Sequence, residues 1–515
     1  MKKSPLSVDK SDFFRGAGYG SRTRLLALGR PHNTDIPIPQ FENHYIKPAK
    51  GKQGYFVGMD GNNPLKNKVS CRIIKEKRRK GDTGDMKKCG YILLAVVLLI
   101  GMLCTSCTKK EESASAPDFS FPEIQVPQED TQQEVQNIPE TDVETESEPE
   151  PEPEPEPQIP PLDDAAIQAK LDQVAEKYGA TGMQLAVIND GQIAGLYATG
   201  WATLQETPMT PEHKLRVASI SKIIIGIHTM MLQEQGVLTL DSDISRFWGT
   251  TARNPKYPDT PITIDLLLTH VSTVRAYAND GPMDYDTVRE RLTYGYGTGV
   301  PGSMDSFYYN NYGFRLLGMT LELASGKSMD QYLRENLFSQ MGIDAGFYPG
   351  DLQNTDLLAP LYWEGNGLAR SVSTMKDMHA PAYPGADGYH YSGGLTISAA
   401  ELAKIVALLV NDGVYEGQQL LLPESVATME RYNDYELYDG TYQARPLIYA
   451  PDIYGKEGIY YHTGSGWGVY NCFSYDPNTG DGVVVLSMGA GTDAGPYGIY
   501  TVCSELNEYI YQEIA

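Results

Sequence analysis

The chain has 515 residues, 41 % of them hydrophobic, and a formal net charge of −24. That charge is regional: Met1–Lys110 holds about 22 Lys/Arg against about 8 Asp/Glu, Glu111–Leu162 about 16 acids and no base, and the remainder about 20 bases against about 42 acids. A C-terminal part near −22 (roughly, by that count) is repelled by a phosphate backbone, which argues against nucleic acid as partner, and six cysteines are too few for a disulfide scaffold.

Met1–Asp85 shows little periodic apolar patterning. Met86-Lys-Lys-Cys-Gly-Tyr then leads into the apolar run Ile92–Cys104, followed by Thr105-Ser106-Cys107. A charged start, a run of about 13 apolar residues and small residues before a cysteine make up a secretory signal. It resembles a bacterial lipoprotein signal, with Cys107 as the lipidated first residue of the mature chain, although Cys104 stands where that signal usually has Leu. On this reading Met86 is the true start and 1–85 an extension ahead of it. The alternative is a single span from about Cys89 to Cys107, roughly 19 residues, with 1–85 as a cytoplasmic tail held inside by its Lys/Arg run. Either way 86–107 is the membrane anchor, and everything after Cys107 is expected on the extracytoplasmic face.

Residues 108–162 read as a disordered Pro/Glu-rich linker, with strict Glu-Pro alternation over Glu148–Pro157. Proline favours the extended polyproline conformation and repelling carboxylates stretch it further, giving a semi-rigid spacer. With few apolar residues it has nothing to offset its ordering entropy.

From residue 163 to 515 the pattern is globular. Asp163–Tyr178 places Ala166, Ile167, Leu171, Val174 and Ala175 at helical spacing, between an Asp and the stop signal Gly179. Met183–Ile188 and Gln192–Gly200 flank Asn189-Asp190-Gly191, which predicts a hairpin. Gly458–Tyr461, Val469–Tyr475 and Gly482–Ser487 read as three late strands, before a closing helix with Ile499, Val502, Cys503, Leu506 and Ile510 on one face. Early and late strands with helices between them predict an α+β fold: one antiparallel five-stranded sheet flanked by helices, with an inserted helical lobe. Cys472 and Cys503 are either paired or buried thiols.

Three short motifs carry chemistry. In Arg216-Val-Ala-Ser219-Ile-Ser-Lys222, a Ser and a Lys three apart at a helix start point from one face, so the nitrogen reaches the hydroxyl. Helix N-termini also favour negative charge developing there. The same spacing at Ser7, Ser106 and Ser373 lacks the apolar helix that follows Ser219. In Phe307-Tyr-Tyr309-Asn-Asn311-Tyr-Gly313, a turn can present Tyr309 and Asn311 to one cleft. Tyrosine's reference pKa of about 10 is high for a base, and a nearby lysine is expected to lower it. The third motif is His462-Thr463-Gly464-Ser465 at a strand end. The small residue is expected to let substrate lie along the strand, Thr463 and a protonated His462 to hold a carboxylate, and the Ser465 amide to join that of Ser219 in an oxyanion hole.

In order and spacing, Ser219, Tyr309 and His462 resemble the S-x-x-K, Y-x-N and K/H-T-G triplet of penicillin-recognising serine hydrolases, and the chain resembles the β-lactamase-related family of class C type. Ile262–His270, Leu316–Glu322, Ser392–Ser398 and Asn411–Ser425 match as well. The resemblance implies the β-lactamase/transpeptidase-like fold and an acyl-enzyme at Ser219, with Lys222 and Tyr309 moving protons and Asn311 binding the substrate's amide. It implies a small-molecule or peptidoglycan-peptide substrate: D-alanyl peptides first, with lactams and non-peptide esters as alternatives, and a non-catalytic wall-binding protein further off. No Ser-Asp-Asn triplet is present, which disfavours the class A arrangement. No His-Glu-x-x-His or Cys/His cluster exists, so no metal or other cofactor is expected. His462 stands where β-lactamases usually have Lys, and Val271-Ser272-Thr273 departs from the family's Thr-Ser-Gly. His270 reads as a structural hydrogen-bonding residue, while Tyr294, Tyr296 and Trp467 are candidates to line the cleft.

Overall fold

The computed structural model describes 44–46, 55–59, 69–72 and 162–513, apart from 276–281, 435 and 439. The expected anchor 86–107 with Cys107, and the linker up to residue 161, lie outside the described residues. The chain divides into Met1–Thr145 and Glu146–Ala515. In the first unit His44–Ile46, Tyr55–Met59 and Val69–Arg72 pair as an antiparallel sheet in chain order, which the weak patterning there does not foreshadow. Among the described residues no helix is long and apolar enough to cross a membrane.

The second unit opens with α1 (Asp164–Tyr178), whose ends follow from its residues. The Asp163 carboxylate accepts the amide of Ala166 at 2.9 Å, and Gly179 ends the helix at φ 61°, a left-handed position that glycine occupies without strain. Strands β1 (Gly182–Asn189) and β2 (Gln192–Thr203) are joined through Asp190 and Gly191, both at positive φ, as a tight hairpin turn requires. The late strands are β6 (Ile459–Gly466), β7 (Val469–Asp476) and β8 (Asp481–Met488). Short strands β3 (Thr207–Pro208), β4 (Tyr442–Gln443) and β5 (Ile448–Ala450) extend the edges. The order is β4-β5-β6-β7-β8-β1-β2-β3, all antiparallel. The sheet therefore has eight strands rather than the expected five. The three additions are two or three residues long, too short to show alternation in sequence. β6 also runs past Tyr461 to Gly466, because each residue out to the Gly466–Val469 pair finds a partner on β7.

Both sheet faces are covered, which explains why β8 reads as one apolar run. Val483 and Val485 join the core under α1 and the closing helix α5 (Thr501–Glu513), while Val484, Leu486 and Met488 belong to the core shared with the inserted lobe. Cys472 and Cys503 are free, buried thiols in the first of these cores. The inserted lobe contributes α2 (Ser221–Glu234), α3 (Asn311–Ser325) and α4 (Ala399–Val410). In α2 every residue from Ser221 to Leu232 is buried, so this helix is fixed on all sides. Its N-terminus, at the junction of lobe and sheet, carries the first chemical motif.

Candidate active site

Ser219 lies in a single 3-10 turn (Ala218–Ile220) that runs directly into α2, rather than in the α-helix itself. Ala218 before it sits at φ 50°, a left-handed conformation that costs a residue with a side chain of order 1 kcal/mol. The turn is held from both sides. The Asn471 amide on β7 donates to the Arg216 carbonyl at 3.1 Å while its oxygen accepts the Ser487 amide at 3.0 Å, and Ser221 Oγ accepts the amide of Leu395 at 3.0 Å.

Lys222, in the first turn of α2, is completely buried. Its Nζ is 3.0 Å from Ser219 Oγ, 2.9 Å from Asn311 Oδ1 and 2.8 Å from the Ser392 carbonyl. The two carbonyl oxygens can only accept, so they take two N–H groups and fix the third direction of the nitrogen on Ser219. Burial, and then the charges of Arg315 and Arg216, hold Lys222 well below the usual lysine range. With its affinity for a proton lowered in this way, the nitrogen is placed to exchange a proton with the serine hydroxyl.

Tyr309 packs its ring beneath Lys222, whose Nζ is 4.8 Å from the ring centroid. A lysine was expected to lower its pKa; the structure gives the opposite. The side chain keeps partial exposure, yet desolvation among the groups crowding it pushes the phenol above its ordinary range, and the hydrogen bond with Ser219 only partly opposes that shift. Lys222 is not among the charges that shift the phenol. The loop bearing Tyr309 is set by His270, as its structural reading implies: its Nδ1 accepts the Asn310 amide at 3.1 Å, its ring lies 4.6 Å from that of Tyr309, and its carbonyl accepts the Tyr308 amide. His270 and Thr273 both take φ 62°, so the atypical loop after His270 is tightly turned.

His462, on β6, is 2 % exposed, and its Nδ1 donates to the Thr463 carbonyl at 2.6 Å. Burial, followed by the neighbouring Lys222, pulls its pKa down to about 3. The expected cation at this position is therefore absent: His462 is neutral, with an unpartnered, buried Nε2. Gly464 also has a reason other than the one expected. A Cβ there would lie 2.1 Å from the Val217 carbonyl oxygen and 3.1 Å from the Ser219 amide nitrogen. Glycine is required because β6 lies against the nucleophile's own backbone. Ser465 is exposed, its Oγ accepting from the Tyr500 hydroxyl at 2.5 Å.

Ser219, Lys222, Tyr309, Asn311 and the strand His462–Ser465 thus meet at one junction. Ser373 stands apart on an exposed helical turn, and its Lys376 reaches Asp356. Trp467 is half-exposed beside the motif strand and stacks on Trp363, whereas Tyr296 packs against the core and donates to the Leu292 carbonyl. Sequence reasoning missed the Ser392 carbonyl, Asn471 and Arg216. Ser392-Gly-Gly was a visible stretch, but a backbone acceptor leaves no side-chain signature.

The model of the β-lactamase family ("Beta-lactamase") matches residues 167–501. D-alanyl-D-alanine-carboxypeptidase/endopeptidase AmpH of Escherichia coli (strain K12) is 30 % identical over 182 residues, 33 % of this chain and 46 % of that protein, so the match spans about half of the relative's length. Penicillin-binding protein 4 of Amycolatopsis lactamdurans is 22 % identical over 334 residues, covering 64 % and 86 %. Among solved structures, D-amino acid amidase from Ochrobactrum anthropi SV3 complexed with L-phenylalanine superposes with a TM-score of 0.53 at 23 % identity, over 68 % of this chain and 98 % of that one.

Proposed function

The chain belongs to the β-lactamase family of serine hydrolases, and from that premise we propose that it acylates Ser219 with D-alanyl peptides of the cell wall or amides and esters of similar shape. The observation that carries the reading is the Lys222 nitrogen, 3.0 Å from Ser219 Oγ and completely buried, where its affinity for a proton is lowered. In the resting site burial lowers the amine's affinity for a proton and the phenol's is raised, which assigns them different tasks.

Lys222 takes the Ser219 proton as Oγ bonds to the carbonyl carbon. The Ser219 and Ser465 amides hold the resulting oxyanion. Tyr309 then protonates the departing nitrogen or oxygen as its bond to carbon breaks, and Lys222 returns a proton to the tyrosinate. Water hydrolyses the acyl-enzyme by the same relay in reverse. Asn311 positions Lys222 and binds the substrate's amide, and Thr463 contacts the substrate along β6. For the substrate class, support comes from the peptidase named among the relatives.

Intact-mass spectrometry against D-Ala-D-Ala peptides, β-lactams and acyl esters tests the proposal. A single adduct on Ser219, absent in Ser219→Ala together with about 10³-fold or more of the turnover, is expected. Adducts with lactams or esters alone would move the substrate class to those compounds. An adduct that persists in Ser219→Ala, or no adduct with any of the panel, would refute an acylated Ser219.

A further inference from the structure

Neutral His462 leaves the carboxylate role expected of it vacant, yet two arginines stand beside segments that carry the motifs. The domain has an excess of acids, and several of its cations use them: Lys214 pairs with Glu401 at 2.7 Å, Arg445 with Asp265 at 2.5 Å, and Lys456 with Asp481 at 3.4 Å. Arg216 and Arg370 have no such partner among the described residues. Arg216 donates from Nε to the Gly393 carbonyl at 2.5 Å, and a Cβ on Gly393 would be 3.5 Å from both Arg216 Nη2 and the Ala218 carbonyl carbon. It therefore stands directly behind the peptide of Ser219. Arg370 lies with its guanidinium carbon 4.2 Å over the ring of Trp467, two positions beyond Ser465 in the turn that follows the motif strand. Arg216 and Arg370 line one small cavity together with His390 and Thr396. The same cations, after burial, push His390 down to about 4, so no imidazolium competes for an anion.

Two guanidiniums without counter-ions, one lodged behind the nucleophile and one half-exposed at the end of the motif strand, make an electrostatic vacancy of one sign. Burial does not relieve it by deprotonation, because arginine starts too high. Resting on the acyl-enzyme reading above, we propose that Arg370, seated on Trp467 and backed by Arg216, binds a carboxylate of the substrate and so replaces the side chain at position 462 in that task. The planar fork fits a carboxylate with two parallel N–H bonds, and stacking on Trp467 fixes the plane of the fork.

The test uses two D-alanyl esters that differ in one group of the leaving alcohol, a carboxylate in one and its carboxamide in the other. In the wild-type protein kcat/KM is expected to favour the carboxylate, and rising NaCl to narrow that preference. Arg370→Gln should reduce the ratio of the two kcat/KM values about tenfold or more, mainly through KM, whereas Arg370→Lys keeps the larger part of it. A wild-type protein with no preference for the carboxylate overturns the proposal, and so does Arg370→Gln with the wild-type ratio, even if both substrates slow together. Failure of both esters to acylate wild-type Ser219 refutes the underlying hydrolase reading instead, so the two failures are distinguishable.

Discussion

Two clusters of basic side chains flank Ser219, and they answer the same physical pressure in opposite ways. Lys222, His270 and His462 are buried at the junction of sheet and lobe, and there the protein interior lowers their affinity for a proton. Arg216 and Arg370 lose some proton affinity but not the proton: desolvation brings Arg216 down only to about 10. Reference pKa values near 6.5 and 10.4 lie within reach of desolvation, whereas that of arginine does not. One cluster thereby holds its protons loosely and the other stays a permanent positive field. The field reinforces the first effect, since Arg315 and Arg216 are the charges that further depress Lys222.

The difference is sharpest at Lys222. Lys222→Met removes the proton acceptor and leaves the Asn311 and Ser392 oxygens without their donor, so acylation of Ser219 should slow about 10³-fold or more. In the wild type the acylation rate should fall as pH drops through the pKa of Lys222 in the site, because only the amine accepts. Acylation that persists undiminished in Lys222→Met would mean that another group activates the serine.

A smaller effect is expected from Gly464→Ala. The added methyl meets the Val217 carbonyl oxygen at 2.1 Å, so β6 must move away from the turn bearing Ser219. Overpacking of this kind costs about 1–3 kcal/mol of stability. We expect a lowered denaturant midpoint and an activity loss near 10²-fold, roughly what misplacing reacting groups by 1 Å costs. A variant with wild-type stability and rate would show that β6 does not position the nucleophile.

The mildest outcome concerns pH. With His462 titrating at about 3, its charge grows only toward that pH, and none is lost between about pH 5 and 9. The ratio of kcat/KM for a carboxylate-bearing and a neutral substrate should therefore stay flat across that window. A fall confined to the carboxylate substrate near pH 6–7 would mean that His462 is protonated in the working enzyme, and would return the anion to β6.

Much of this architecture was legible in the residues. The capped first helix, the Asp190-Gly191 hairpin, the five long strands and the closing helix follow from period, turn chemistry and capping, all of them local. The edge strands β3, β4 and β5 were not legible, because a two- or three-residue strand exists only through its partner. At the site, Ser219, Lys222, Tyr309, Asn311 and His462–Ser465 could be named because their spacing is a pattern along the chain. Ser392 and Asn471 act through a backbone oxygen and a cross-sheet amide, for which no spacing rule exists.

By itself the sequence determined which side chains are available for chemistry and the order in which the chain presents them. Tertiary structure alone decided their protonation and partners. His462 looked like a cation because an isolated imidazole titrates near neutrality, and Tyr309 looked as though a lysine would acidify it. Both expectations fail for one reason. The free energy of a charge depends on how much water surrounds it, and that is a property of the packed junction between β6, α2 and α3 rather than of any residue along the chain.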